Sequence, residues 1–100
     1  MDLYEVIIPP GVWRRIDEIV DYIEENFSYE ETAESVLERI EQEIYSLDKD
    51  PNRGAPRKTG KYAYKGYRQV FAGNYIIVYR VDEMHRRVDI ETVRHMLEDF

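Results

Sequence analysis

The chain has 100 residues, 43% hydrophobic and with no cysteine, and its 21 Asp and Glu outnumber its 14 Lys and Arg. A chain this long buries roughly 60–70% of its surface on folding without disulfides or a structural metal, so one domain over residues 1–100 is expected and thiol chemistry is excluded. His85 and His95 lack companions at metal-ligand spacing, no run approaches the ~20 apolar residues of a membrane span, and Met1 opens an acidic segment; the expectation is a cytoplasmic protein with no metal, no cofactor and no membrane partner.

Leu3 to Ile8 is a short β-rich run closed by Pro9-Pro10-Gly11, which predicts a first strand. Val12, Trp13, Ile16, Ile19, Val20, Ile23 and Phe27 then recur at three- and four-residue spacing, with Asp17, Glu18, Asp21, Glu24 and Glu25 between them, the pattern of an amphipathic helix. Ser28 stands three residues before Glu31, the capping-box spacing, with Phe27 as a staple, and predicts the start of a second helix. Its apolar stripe is Ala33, Val36, Leu37, Ile40, Ile44 and Leu47, and it ends before Asp48-Lys-Asp-Pro51.

Residues 48–61 hold two Pro and two Gly and read as a loop. Strands follow. Tyr62 to Phe71 is aromatic and partly alternating, Ala72-Gly73-Asn74 is a tight connection, Tyr75 to Val81 is strongly β-forming, and Val88, Ile90 and Val93 predict a last strand ending near Arg94-His95. The order is β-α-α-β-β-β. With no room for crossover helices after residue 48, the fold class is α+β: an N-terminal strand, an α-helical hairpin over one sheet face, and a three-stranded antiparallel C-terminal meander that the first strand joins at an edge.

Charge divides unevenly along the chain. Residues 1–50 hold 15 acidic and 4 basic side chains, whereas residues 51–100 hold 6 and 10. Between 51 and 81, Arg53, Arg57, Lys58, Lys61, Lys65, Arg68 and Arg80 occur with no Asp or Glu. An acidic chain is a poor non-specific ligand for nucleic acid, yet a local basic surface can contact phosphate or an acidic partner. The tyrosines crowding this region, Tyr62, Tyr64, Tyr67, Tyr75 and Tyr79, admit a base-stacking role, but half-buried sheet packing is the better reading.

Four blocks carry a family resemblance. Ile19-Val-Asp-Tyr-Ile23 lies on the first helix; Val36-Leu-Glu-Arg-Ile40, Ile44-Tyr-Ser-Leu47 and Pro51-x-x-Gly54 form the second helix and its exit. Gly66-Tyr-Arg-Gln-Val-Phe-Ala-Gly-Asn-Tyr-Ile-Ile-Val-Tyr-Arg-Val-Asp82 forms a hairpin, and Val88-Asp-Ile-Glu-Thr-Val-Arg-His95 with Glu98-Asp-Phe100 closes the chain. In this order they resemble the RelE/ParE superfamily of type II toxin–antitoxin toxins, often labelled plasmid-stabilisation toxins. The resemblance implies a toxin neutralised by a cognate antitoxin, with operator DNA contacted only through the antitoxin. It also implies one of two targets: the ribosome, where RelE-like members act as mRNA endoribonucleases (mRNA interferases), or DNA gyrase, which ParE-like members inhibit.

Metal-free RNA cleavage needs a proton acceptor, a proton donor and cations for the phosphorane-like charge. Arg68 matches a basic position of the nuclease branch, but its other strand cations fall at Val70 and Ile76, the terminal basic pair is Leu97-Glu98, and the last aromatic is Phe100, without a hydroxyl. The ParE-like branch, a gyrase inhibitor acting by binding and not as an enzyme, is therefore favoured, with Arg57, Lys58, Lys65, Arg68, Arg80 and Arg94 as target or antitoxin contacts. The alternatives are a metal-independent endoribonuclease using Lys65, Arg68 and His95, and a non-toxic relative that only binds its antitoxin. His95 has the competing reading of a histidine packed at a strand end.

Overall fold

The computed structural model describes residues 3–26 and 32–100. Helix α1 (Pro10–Glu25) follows strand β1 (Glu5–Ile7), and Pro10 suits the first turn, where a missing N–H costs no bond. The Pro9 carbonyl accepts from the N–H groups of Val12 at 2.9 Å and Trp13 at 3.2 Å. The helix buries Val12, Ile16 and Ile23 and leaves Asp17, Glu18, Asp21, Glu24 and Glu25 exposed, as the spacing predicts.

Helix α2 (Ala33–Tyr45) is capped by Thr32, whose hydroxyl accepts from the Ser35 N–H at 3.1 Å while the Ser35 hydroxyl accepts from the Thr32 N–H at 3.3 Å. A reciprocal cap of this kind satisfies two donors that the first turn leaves open. The expected Ser28–Glu31 box, with Phe27, lies outside the described residues.

The sheet has five strands where the sequence predicts four. Its order is β1-β5-β4-β3-β2, with β2 (Ala55–Pro56), β3 (Arg68–Ala72), β4 (Tyr75–Asp82) and β5 (Arg87–His95). The pairs β2–β3, β3–β4 and β4–β5 are antiparallel, and β1 joins β5 parallel at the edge. The added strand is a two-residue piece inside the expected loop, with its proline at the sheet edge where a missing donor is tolerated. The expected strand over Tyr62–Phe71 becomes Arg68–Ala72, because Tyr64 and Gly66 take positive φ angles of 57° and 85° that no strand accommodates.

Central strand β4 is buried on both faces. Tyr75, Ile77 and Tyr79 join the helix stripe of Ile16, Ile40, Ile44 and Leu47, while Ile76 and Val78 pack with Tyr62, Tyr67 and Phe100 on the other side. The Tyr79 hydroxyl donates to the Pro51 carbonyl at 2.6 Å and accepts from the Gly54 N–H at 3.1 Å. Removing it strands two buried backbone groups, so Tyr79→Phe is expected to cost about 1–3 kcal/mol. A thermal melt reads this as a midpoint lowered by roughly 4–8 °C per kcal/mol for a chain of this size; an unchanged midpoint overturns the assignment.

Candidate functional site

One extra residue in β5 decides which side chains share a face. Val78 pairs with Thr92 and Tyr79 with Ile90, leaving Glu91 as a bulge that resets the alternation. Val88 and Ile90 before it and Val93 after it all face the helices. Thr92 and Arg94, opposite Val78 and Ile76, therefore face the other way, on the side that Arg80 occupies through its β4 alternation.

That second face carries guanidinium groups against rings. Arg57, 8% exposed, lies 4.1 Å from the Phe100 ring centroid. Its Nε donates to the Thr59 carbonyl at 3.1 Å, one Nη to Gln69 Oε1 at 2.8 Å and the other to the Phe100 carbonyl at 3.0 Å. Arg94 approaches the same ring at 5.6 Å and donates to the Thr92 hydroxyl at 3.1 Å, and Arg80 lies 4.7 Å from the Tyr67 ring. Gly60 is required here, since a Cβ on it would stand 1.7 Å from the Phe100 carbonyl oxygen. The chain from Arg57 to Gly60 and the C-terminal residue are thus clasped together over the sheet.

The remaining candidates disperse. Lys58 and Lys65 are exposed on the 57–67 segment. Arg68 shares alternation with Val70 and Tyr79 and so faces the helix side, where its Nη1 donates to the Gly54 carbonyl at 2.7 Å. His95 lies on that same side but at the opposite end of the sheet, paired with Tyr75. Between the Tyr75 and Tyr79 registers lie four steps of β4, roughly 13 Å, filled by core side chains. Lys65, Arg68 and His95 are not brought together.

His95 instead lines a cavity of about 510 Å³ with Arg15, Glu18, Ile19 and Tyr22 of α1, Tyr75 of β4, and Leu97 and Glu98. Its ring meets that of Tyr75 edge-on at 5.2 Å, and its Nδ1 accepts from the Leu97 N–H at 3.1 Å, which leaves the proton of the neutral ring on Nε2. Glu98 accepts from Arg15 at 2.7 Å and from the His95 N–H at 2.8 Å. Burial pushes the Glu98 carboxyl up, but the His95 N–H and the Arg15 guanidinium outweigh it and hold the group below its ordinary value. Sequence reasoning missed Arg15 and Glu98 as neighbours, for they are 83 positions apart. Among the described residues, no group of three or more His, Asp or Glu is placed to hold a metal ion, and no helix is long and apolar enough to cross a membrane.

A helical hairpin over one face of this mixed sheet, with β1 parallel to β5, is the fold of RelE/ParE-type toxins. A family model described as the ParE toxin of type II toxin–antitoxin system, parDE, matches residues 6–100, and the chain belongs to that family. The solved toxin–antitoxin complex RelBE2 from Mycobacterium tuberculosis contains a chain of the same fold, 23% identical, with a TM-score of 0.66 over 93% of this chain and 98% of that one. No curated protein matches.

The clasp and the cavity wall each yield an expectation. Lysine at position 57 keeps the charge but loses the planar fork, so Arg57→Lys is expected to destabilise by about 1.5–3 kcal/mol, read as a lower midpoint in urea unfolding. Because the folded Glu98 pKa lies below its ordinary 4.5, its stabilisation is complete above that value and fades as pH falls through the folded one. Thermal midpoints followed down the acid range should show that fade in the parent chain and a flatter profile in Glu98→Gln.

Proposed function

We propose that this toxin acts by ParE-like inhibition of DNA gyrase, through binding and not bond cleavage, and that a cognate antitoxin neutralises it. The observation that carries the reading is the separation of Lys65, Arg68 and His95. Acid–base cleavage of RNA needs its proton acceptor, proton donor and cations around one phosphate. Here Arg68 donates from Nη1 to the Gly54 carbonyl on the helix side, and His95 opens into a different cavity. Exposed Lys58, Lys65 and Arg80, with Arg94 beside them on the sheet, offer a cationic contact surface, and Arg57 and Arg68 hold the loop that presents it.

The partner reading draws on the RelBE2 neighbour, a toxin–antitoxin complex. A segment with apolar side chains for the His95 cavity and acidic ones for the sheet cations is the natural antitoxin complement. The toxin is read as one domain over residues 1–100 acting in the cytoplasm, where gyrase is met, with operator DNA reached only through the antitoxin.

Tightly induced expression without antitoxin, with labelled-precursor incorporation followed separately for DNA and protein, tests the mechanism. DNA synthesis is expected to fail first, and His95→Gln to remain toxic, since Gln can still accept the Leu97 N–H. Neutralising Lys58, Lys65 and Arg80 together is expected to weaken gyrase inhibition by roughly ten-fold or more through lost steering. Translation failing first, with His95→Gln inactive, overturns this reading in favour of an mRNA interferase.

A further inference from the structure

The tyrosines of the sheet region do not behave alike. Tyr62, Tyr75 and Tyr79 are buried, whereas Tyr64 is 83% exposed. Its backbone sits at φ 57°, the left-handed region in which a bulky side chain is uncommon. This is no loose loop tip. The Tyr64 N–H donates to the Arg57 carbonyl at 3.1 Å, the Arg57 N–H to the Tyr67 carbonyl at 2.8 Å, and the Ala63 N–H to the Gly60 carbonyl at 3.2 Å. An apolar ring is therefore held out into water by a backbone that is unfavourable for it and fixed at both sides, the combination in which local strain points to a use.

The charges on that segment share one sign, with Lys61 over the Tyr62 ring at 5.1 Å and Arg80 over the Tyr67 ring at 4.7 Å. Lys58, Lys61 and Lys65 are exposed on the same segment. Arg80 comes from β4, its Cδ 3.8 Å from where a Cβ on Gly66 would stand. Asp89, cross-strand from Arg80, has its carboxylate engaged by Arg87 at 2.9 and 3.4 Å. No Asp or Glu occurs between residues 51 and 81.

We infer that the 57–67 segment binds an unpaired stretch of nucleic acid, with one base stacked on Tyr64 and the flanking phosphates on Lys58, Lys61, Lys65 and Arg80. Ring and ammonium groups together are what sequence-tolerant single-strand binding uses, because every base has a stacking face and every nucleotide a phosphate. A duplex hides its base faces and offers Tyr64 nothing beyond its backbone. Neutralising phosphates releases their counterions, so the binding is steeply dependent on salt. The site is a property of the isolated chain and stands whichever cellular target the toxin has.

Fluorescence anisotropy of the full chain with a short labelled oligothymidylate, the matching oligouridylate and a duplex of the same length tests the inference. Both single strands are expected to bind more tightly than the duplex, and the better of the two identifies DNA or RNA as the physiological source. Tyr64→Ala is expected to weaken single-strand binding by about ten-fold, with Tyr64→Phe near the parent. Changing Lys58, Lys61 and Lys65 together to Gln should flatten the log–log salt slope by roughly two units. Tyr64→Gly separates function from structure: relief of the positive φ should raise the thermal midpoint while binding falls. Equal affinity for duplex and single strand, or unchanged binding in both Tyr64→Ala and Tyr64→Gly, overturns the inference. A parent chain that binds the single strands but does not inhibit gyrase counts against the gyrase reading alone.

Discussion

The Tyr79 hydroxyl, buried at the centre of the sheet, grips the Pro51 carbonyl and the Gly54 N–H, and so sets where the chain leaves the helical layer for the far sheet edge. Burial pushes its pKa up, so the phenol stays protonated and keeps its donor. Position 54 has to be glycine, because a Cβ there would stand 2.4 Å from that hydroxyl and 2.7 Å from the Gln69 carbonyl. Arg68 then closes on the Gly54 carbonyl, Ala55 and Pro56 pair with β3, and Arg57 reaches the second sheet face. The start of the 57–67 segment follows from this anchor.

The bulge at Glu91 is the second constraint. Alternation has a period of two, so a single extra residue exchanges the faces of everything beyond it. Without it Val93 would leave the core, and Thr92 and Arg94 would turn toward the helices. With it, β5 keeps three apolar residues on the helix side while Arg94 joins Arg57 at Phe100. The C-terminal residue thereby gains two cationic neighbours and covers part of a sheet face that the helices leave open.

These two devices also mark where the sequence stops being readable. The element order was legible because Ile16, Ile40 and Ile44 recur at helical spacing and Tyr75 to Val81 is a dense β-forming run, signals strong enough to survive any tertiary arrangement. The hairpin and its closing block also carried the family resemblance, which the match over residues 6–100 bears out. Strand β2 was illegible, since two residues including a proline carry no periodicity. The aromatic stretch from Tyr62 resembles a strand in composition, and the positive φ angles at Tyr64 and Gly66 show otherwise. The alternation of Arg94 depended on a bulge that no propensity encodes. Arg68 looked like a surface cation because sequence shows a charge and not the Gly54 carbonyl to which it donates. Arg15 and Glu98 met at His95 only through folding.

Charge segregation ties the sequence to the surface. The exposed carboxylates of α1 and α2 stand on the outer side of a helical layer that is ~10–12 Å thick and itself rests ~10 Å from the sheet. That separation exceeds the ~8 Å over which exposed charges act at physiological ionic strength. The acidic helices therefore do little to cancel the field of Lys58, Lys61, Lys65, Arg80 and Arg94 on the opposite side. A chain with a net charge of −7 can keep an anion-binding surface because the exposed carboxylates of its helices and the lysines of the 57–67 segment lie on opposite sides of the core. The arrangement also orients an encounter: an acidic or phosphate-bearing partner is repelled from the helices and drawn to the 57–67 segment, so the fold chooses the face before any specific contact forms.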